Sequence, residues 1–224
     1  MPFDITMAEV RGIVALTMRM TLLSTAISTI IGVPFGLWLD RVKFPGKNLV
    51  VVVNRTLMAS PPVVVGLVVF LLLMRTGPLG NLRLLFTFEA MVIAQVILIA
   101  PIISGIVYTA SQRNSERIRI FAFTMGATKL QAQWLVIKEL SNEIFFAIIA
   151  GFGRAMSEVG AIMIVGGNIR HHTRTMTTSI SLMRNRGDVD QAVFLGIILM
   201  VIAFSVQMIA DFLRKREQRT DENI

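Results

Sequence analysis

Few side chains in this sequence could do chemistry, and the ones that are missing narrow the choices quickly. There is no cysteine, which excludes disulfides, thiolate metal sites and a cysteine nucleophile. The two histidines, His171 and His172, are adjacent and leave little with which to build a metal centre, so none is expected. Pro45-Gly46-Lys47 lacks both the earlier glycine and the following hydroxyl of a phosphate-binding loop, so no nucleotide cofactor is expected on this chain. The pair that stands out is Arg154 and Glu158, one helical turn apart within an apolar stretch, with Ser157 beside the acid. Ionisable groups in such surroundings are costly unless paired or wetted, so the two form either a structural ion pair or part of a wetted pathway. Arg19, nearer the end of another apolar stretch, either snorkels or pairs with Glu158. Catalysis would call for paired aspartates, a histidine-rich motif or a serine with a base inside these stretches. The aspartates sit in loops or at helix ends, and an enzyme is not expected.

The elements that must hold these residues follow from composition. Of 224 residues, 54% are hydrophobic and 16% charged, with a mean hydropathy of +0.69. A soluble domain cannot hide so much apolar surface, and an all-α integral membrane protein is expected. Apolar stretches at about 14–39, 49–74, 88–110, 143–166 and 192–213 supply five spanning helices in a single domain covering 1–224. The net charge of +8 is read as basic loops at the membrane surface rather than as a nucleic-acid footprint. After spans one, three and five lie Arg41, Lys43 and Lys47, then Arg113, Arg117, Arg119, Lys129 and Lys138, then Arg214, Lys215, Arg216 and Arg219. These twelve outweigh the seven arginines of the opposite loops, which predicts the N-terminus outside and the C-terminus in the cytoplasm. The first twelve residues include Asp4 and Glu9 and lack the basic start of a secretory signal, so the N-terminus is expected to be retained.

Within the spans, Gly32, Pro34 and Gly36 are expected to interrupt the first helix, and Ser60, Pro61 and Pro62 the second. Freed carbonyls at such kinks are tolerated where protein or a water-filled path satisfies them, so the kinks either face a cavity or serve packing alone. Gly32 with Gly36, and Ala147 with Gly151, have the small-residue spacing that lets helices approach closely. The connection 111–142 carries apolar residues in helical rhythm and fits two short helices. Gly126 suits the left-handed position that closes the first, and Thr128 with Gln131 makes a capping-box start for the second. Its apolar face centres on Trp134, with Lys129 and Lys138 at the flanks. That face is either a docking knob for another protein or a membrane-surface helix. The opposite connection, 167–191, holds four arginines against two aspartates, and 175–182 reads as a short re-entrant or interfacial helix. Amides around Gly166, Gly167 and Asn168 would favour an anion if they formed a helix N-terminus. The arginines there contact substrate, lipid phosphate or a partner protein.

Met125-Gly126-Ala127-Thr128-Lys129-Leu130, before the fourth span, resembles the coupling loop of ABC-type importer permeases. The family's usual glutamate position falls here on Ile120, its alanines on Phe121 and Ala122, and its later Leu-Pro on Lys138 and Glu139. A longer match is Gly151-Phe152-Gly153-Arg154-Ala155-Met156-Ser157-Glu158-Val159-Gly160-Ala161. With Val165-Gly166-Gly167-Asn168-Ile169, His172-Thr173-Arg174 and Thr177-Thr178-Ser179-Ile180, it resembles the tungstate importer permeases, relatives of the molybdate and sulfate permeases. The resemblance runs from about residue 17 to 212. It implies five core helices, a homodimer around one pathway in a bacterial or archaeal cytoplasmic membrane, two separate ATPase subunits carrying ATP and Mg, and an extracytoplasmic oxyanion-binding protein. On this view Gly126, Ala127, Thr128, Leu130, Gln131 and Trp134 dock the ATPase, while Arg154, Ser157 and Glu158 border the pathway. Asn168, Arg170, Arg174, Thr177, Thr178 and Ile180 form the external gate, and Pro34, Pro61 and Pro62 kink the helices. The cargo implied is tungstate, with molybdate or sulfate as alternatives. A membrane scaffold that docks a soluble partner and moves nothing is the reading from a different class.

Overall fold

A computed structural model describes residues 6–221, with side chains described through residue 212. Asp4 and the basic run Arg214, Lys215, Arg216 and Arg219 therefore lie outside the described side chains. The described residues form nine α-helices and one 3-10 turn: α1 (Met7–Arg41), α2 (Lys47–Met58), α3 (Pro62–Leu73), the turn Gly80–Leu82, α4 (Phe88–Thr124), α5 (Lys129–Glu139), α6 (Ser141–Met156), α7 (Gly160–Gly166), α8 (Met176–Arg186) and α9 (Val189–Asp221). Three of these, α1, α4 and α9, are long and apolar enough to cross a membrane alone, or up to five spans result if each bent pair counts as one. The bent pairs are α2 with α3, turned by 103°, and α6 with α7, turned by 58°.

The first bend is written in the sequence, because Pro61 and Pro62 bias the preceding residues away from helix while Pro62 sits at the start of α3, where its missing N–H costs nothing. Pro34 behaves differently from expectation: α1 runs unbroken through it for 35 residues. Close packing on α4 holds the helix on both sides of the proline. A Cβ at Gly32 would lie 3.0 Å from the Ala100 carbonyl oxygen, and one at Gly36 would lie 2.6 Å from that of Ser104. The bend at 157–159 has no proline; there Glu158, just before the N-cap Val159, accepts from the Ala161 N–H in the first turn of α7 with its own side chain.

α4 is the spine. Its 37 residues extend about 55 Å at 1.5 Å per residue, well beyond a hydrocarbon layer about 30 Å thick, so it must project past the membrane. The connection at 111–142 is thus one continuous extension of the third span followed by a single short helix, where two separate short helices were expected. One core cluster joins Met20, Val69, Met91, Leu98, Ile162 and Val165, and a second joins Leu37, Ile99, Ile103, Val107, Val136 and Leu140. The apolar stretch of α4 is 61% buried, whereas that of α9 is only 11% buried, leaving α9 to face lipid or a second protein.

Candidate functional site

Three clusters hold the residues singled out by sequence. The first is the corner between α4 and α5. Gly126 has φ +79°, the left-handed conformation that glycine adopts without steric cost, and no atom lies within 4 Å of where its Cβ would be. The reversal is tied by Gly126 N–H to the Phe123 carbonyl (3.0 Å) and Ala127 N–H to that of Ala122 (3.0 Å). Thr128 and Gln131 then cap α5 reciprocally, with Thr128 N–H donating to Gln131 Oε1 at 2.8 Å and Gln131 N–H to Thr128 Oγ1 at 3.4 Å. α5 buries Ala132 and Val136 and turns the rest outward: Leu130 is 84% exposed and Trp134 70%. Ala127, Leu130, Gln131 and Trp134, together with Phe121 and Met125, line an apolar groove of about 580 Å³.

The corner is anchored to α1 by a residue that the sequence did not suggest. Asp40 Oδ2 accepts from Ser111 Oγ (2.9 Å), Ser115 Oγ (2.6 Å) and Arg119 Nη2 (3.2 Å), fixing the end of α1 along the α4 extension. The i, i+4, i+8 spacing of Ser111, Ser115 and Arg119 was the available signal, marking one polar stripe on a helix.

The second cluster surrounds the 157–159 break. Arg154 Nη2 lies 3.7 Å from Glu158 Oε2, an ion pair too long to be a hydrogen bond, and Glu158 is buried while Arg154 is partly exposed. Glu158 Oε1 accepts from Ala161 N–H at 3.0 Å, and its carbonyl accepts from Thr177 Oγ1 at 2.8 Å. Ser157 is exposed and donates to the Arg154 carbonyl at 3.1 Å. The Ala155 carbonyl, at the last turn of α6, accepts from Gln95 Nε2 at 2.8 Å, and Gln95 Oε1 accepts from Ser24 Oγ at 2.6 Å. That chain of bonds ties α1, α4 and α6 together at the break. No contact joins Arg19 to Glu158 among the described residues; Arg19 lies along a different cavity, with Glu9, Arg170 and Arg174.

The third cluster is α8 and its approach. Gly166 ends α7, with Gly167 in the left-handed cap at φ +68°. Gly166 and Gly167 therefore mark a helix C-terminus, which presents carbonyls and the negative end of the dipole. The expected anion-attracting amides are not there. Thr173 Oγ1 donates to the freed Gly166 carbonyl and accepts from Ile169 N–H at 3.0 Å. Asn168, at φ +51°, donates weakly to the Thr178 carbonyl at 3.5 Å. Thr175 and Thr178 form a second capping box, at the start of α8. Met176 N–H reaches across to Thr17 Oγ1 on α1 at 3.0 Å. Thr177 and Thr178 are buried, and Ile180 packs against the cluster of Val10, Met183 and Leu195.

Arg170 closes on Glu9 with two bonds, Nε at 2.8 Å and Nη2 at 2.7 Å, and Arg174 Nη1 stands 3.7 Å from the same carboxylate. The Glu9 carboxylate raises Arg170 above the ordinary guanidinium range, while burial pushes Arg174 below it. Nothing in the sequence marks Glu9 as a partner for this segment, since Arg170 lies 161 positions away. No group of three metal-ligating side chains occurs among the described residues.

The described residues thus form an all-helical chain with membrane-spanning helices and an exposed apolar corner at the end of a projecting one. The family described as binding-protein-dependent transport system inner membrane component matches residues 32–219, and this chain belongs to that family. It is a multi-pass membrane component of a transport system and not itself an enzyme. A tungstate uptake system permease protein of Peptoclostridium acidaminophilum is 41% identical over 201 residues, covering 90% of this chain and 88% of that one. A probable anion ABC transporter permease protein of Haloferax volcanii is 37% identical over 218 residues, covering 95% and 94%. A molybdenum transport system permease protein of Azotobacter vinelandii is more distant, at 29% over 175 residues, covering 75% and 77%.

Proposed function

We propose that two copies of this chain form the translocation pathway of an ATP-binding-cassette importer for an oxyanion, tungstate in the first instance. The observation that carries this reading is near-full-length similarity to a tungstate uptake permease, combined with an apolar corner left bare at the end of α4. Two ATPase subunits, which bring ATP and Mg, dock at the corner through Leu130, Gln131 and Trp134. An oxyanion-binding protein delivers cargo at the α8 end, and lipid covers the remaining apolar surface. The bent pairs each count as one span, giving five, with the N-terminus outside and α5 in the cytoplasm of a bacterial or archaeal cell.

Movement of α5 is carried by the α4 spine, because Val136 and Leu140 pack with Ile103 and Val107 in one cluster and Asp40 locks the extension to α1. The break at 157–159, tied to α1 and α4 through Gln95 and to α8 through Thr177, is where such a displacement can become a change of angle. α8, with Asn168, Arg170 and Arg174 before it and Thr177, Thr178 and Ile180 along it, serves as the external gate. The bare apolar face of α9 fits a dimer seam or lipid.

The test is reconstitution with a candidate ATPase and binding protein, measuring ATP hydrolysis as tungstate, molybdate and sulfate are added in turn. Stimulation by tungstate at the lowest concentration supports this cargo, stimulation by sulfate or molybdate alone reassigns it, and no stimulation by any of them counts against import.

A further inference from the structure

A cavity of about 390 Å³ lies between the first half of α1 and the 170–174 segment, and arginines from both line it. Arg19, Arg170 and Arg174 contribute three positive charges to its walls against the single negative charge of Glu9. We propose that this cavity is a transit site for a doubly charged tetrahedral oxyanion, with Arg19 and Arg174 as its direct ligands. The proposal rests on the import reading above and gives it a place on the chain.

Glu9 is already engaged by Arg170 through both carboxylate oxygens. It is 3.7 Å from Arg174 Nη1, too far for a hydrogen bond, while Arg174 Nη2 donates to the Asn168 carbonyl at 3.4 Å and so holds the guanidinium in place. Arg19 forms no ion pair among the described residues and is exposed on α1. It lies inside the first apolar stretch, near its outer end, where a guanidinium facing lipid is costly. Helical side chains lean toward the N-terminus, so its stem leads back into the cavity. Ala15 and Gly12, one and two turns toward that end, keep the wall low; no atom stands within 4 Å of a Cβ at Gly12. The Arg19 guanidinium and Nη1 of Arg174, in a cavity whose net charge matches a dianion, offer charged donors of the kind that hold oxyanions. A phospholipid phosphate offers the same chemistry, and the test separates the two.

The complex with its ATPase is placed in phosphatidylcholine nanodiscs without the binding protein, and tungstate retention is measured by equilibrium dialysis with metal analysis. Wild type is expected to retain tungstate, and Arg19→Gln to weaken retention by about tenfold or more. Gly12→Leu keeps every charge and fills the cavity, and it is expected to weaken retention as well. Arg11→Gln removes an equal charge from the same helix outside the cavity and should change nothing. Equal retention by wild type, Arg19→Gln and Gly12→Leu overturns the site, as does no retention by wild type. Repeating the wild-type measurement in discs containing phosphatidate identifies the occupant: retention that persists supports the transit site, and retention abolished at low phosphatidate assigns the cavity to lipid headgroups and overturns it. Binding-protein-dependent uptake of tungstate by wild-type proteoliposomes is scored separately, so import can stand even where this site falls.

Discussion

The α5 end and the α8 end carry similar capping boxes, yet they spend their side chains in opposite ways. α5 buries Ala132 and Val136 along one edge but exposes Leu130 and Trp134, so that part of its apolar surface is unused within the chain. α8 buries Met176, Thr177, Thr178 and Ser179 and is bonded to α1 through Thr17 and to the 157–159 break through Thr177. A helix with bare apolar residues on a projecting arm is built to be covered by something else. A helix whose buried hydroxyls, those of Thr177, Thr178 and Ser179, are engaged is built to move with the elements that hold it.

That contrast predicts where substitutions act. The largest effect is expected from Gly126→Val, because a β-branched residue at φ +79° is strained and the corner must reshape. Uptake in proteoliposomes should fall to background while ATP hydrolysis continues and the protein still inserts; undiminished uptake would remove the corner from the coupling route. Trp134→Ala should weaken ATPase association by about tenfold, as hot-spot aromatics do, with the thermal midpoint of the isolated permease unchanged. A pull-down titration and a thermal melt together read this out, and a lowered Tm would mean that α5 belongs to the fold rather than to a partner.

At the other end the order reverses. Glu9→Gln removes the charge that Arg170 closes on, so Tm of the isolated permease should drop before ATPase association is affected. Asp40→Asn keeps an acceptor for Ser111 and Ser115 but loses the ion pair with Arg119, and a partial loss of coupling, measured as ATP hydrolysed per anion imported, is expected. Thr128→Ala should have the smallest effect, about 1 kcal/mol on the stability of α5 alone, visible as faster amide exchange there. Equal responses at both ends would dissolve the contrast between them.

How much of this was legible beforehand varies by residue. Gly126, the Thr128–Gln131 box and the Pro61-Pro62 bend are local events, decided by neighbours within four positions, and each could be read directly. Asp40 with Ser115, Glu9 with Arg170 and Ser24 with Gln95 could not, because they join positions 75, 161 and 71 apart. The same distinction explains the misreadings. Gly166 and Gly167 looked like helix-starting amides until the break at Glu158 showed that a short helix ends there, and Pro34 looked like an interruption until α4 was seen packed against its flanks.

Sequence alone settled that this chain is a membrane protein built of helices, since apolar length and composition are additive properties that need no partner. It also fixed the corner at Gly126, since backbone conformation and capping are short-range. Only the tertiary structure decided which charges meet, where the fourth apolar stretch bends and that Arg19 lies apart from Glu158. Those outcomes depend on which helix faces come together, and close packing between distant segments selects them.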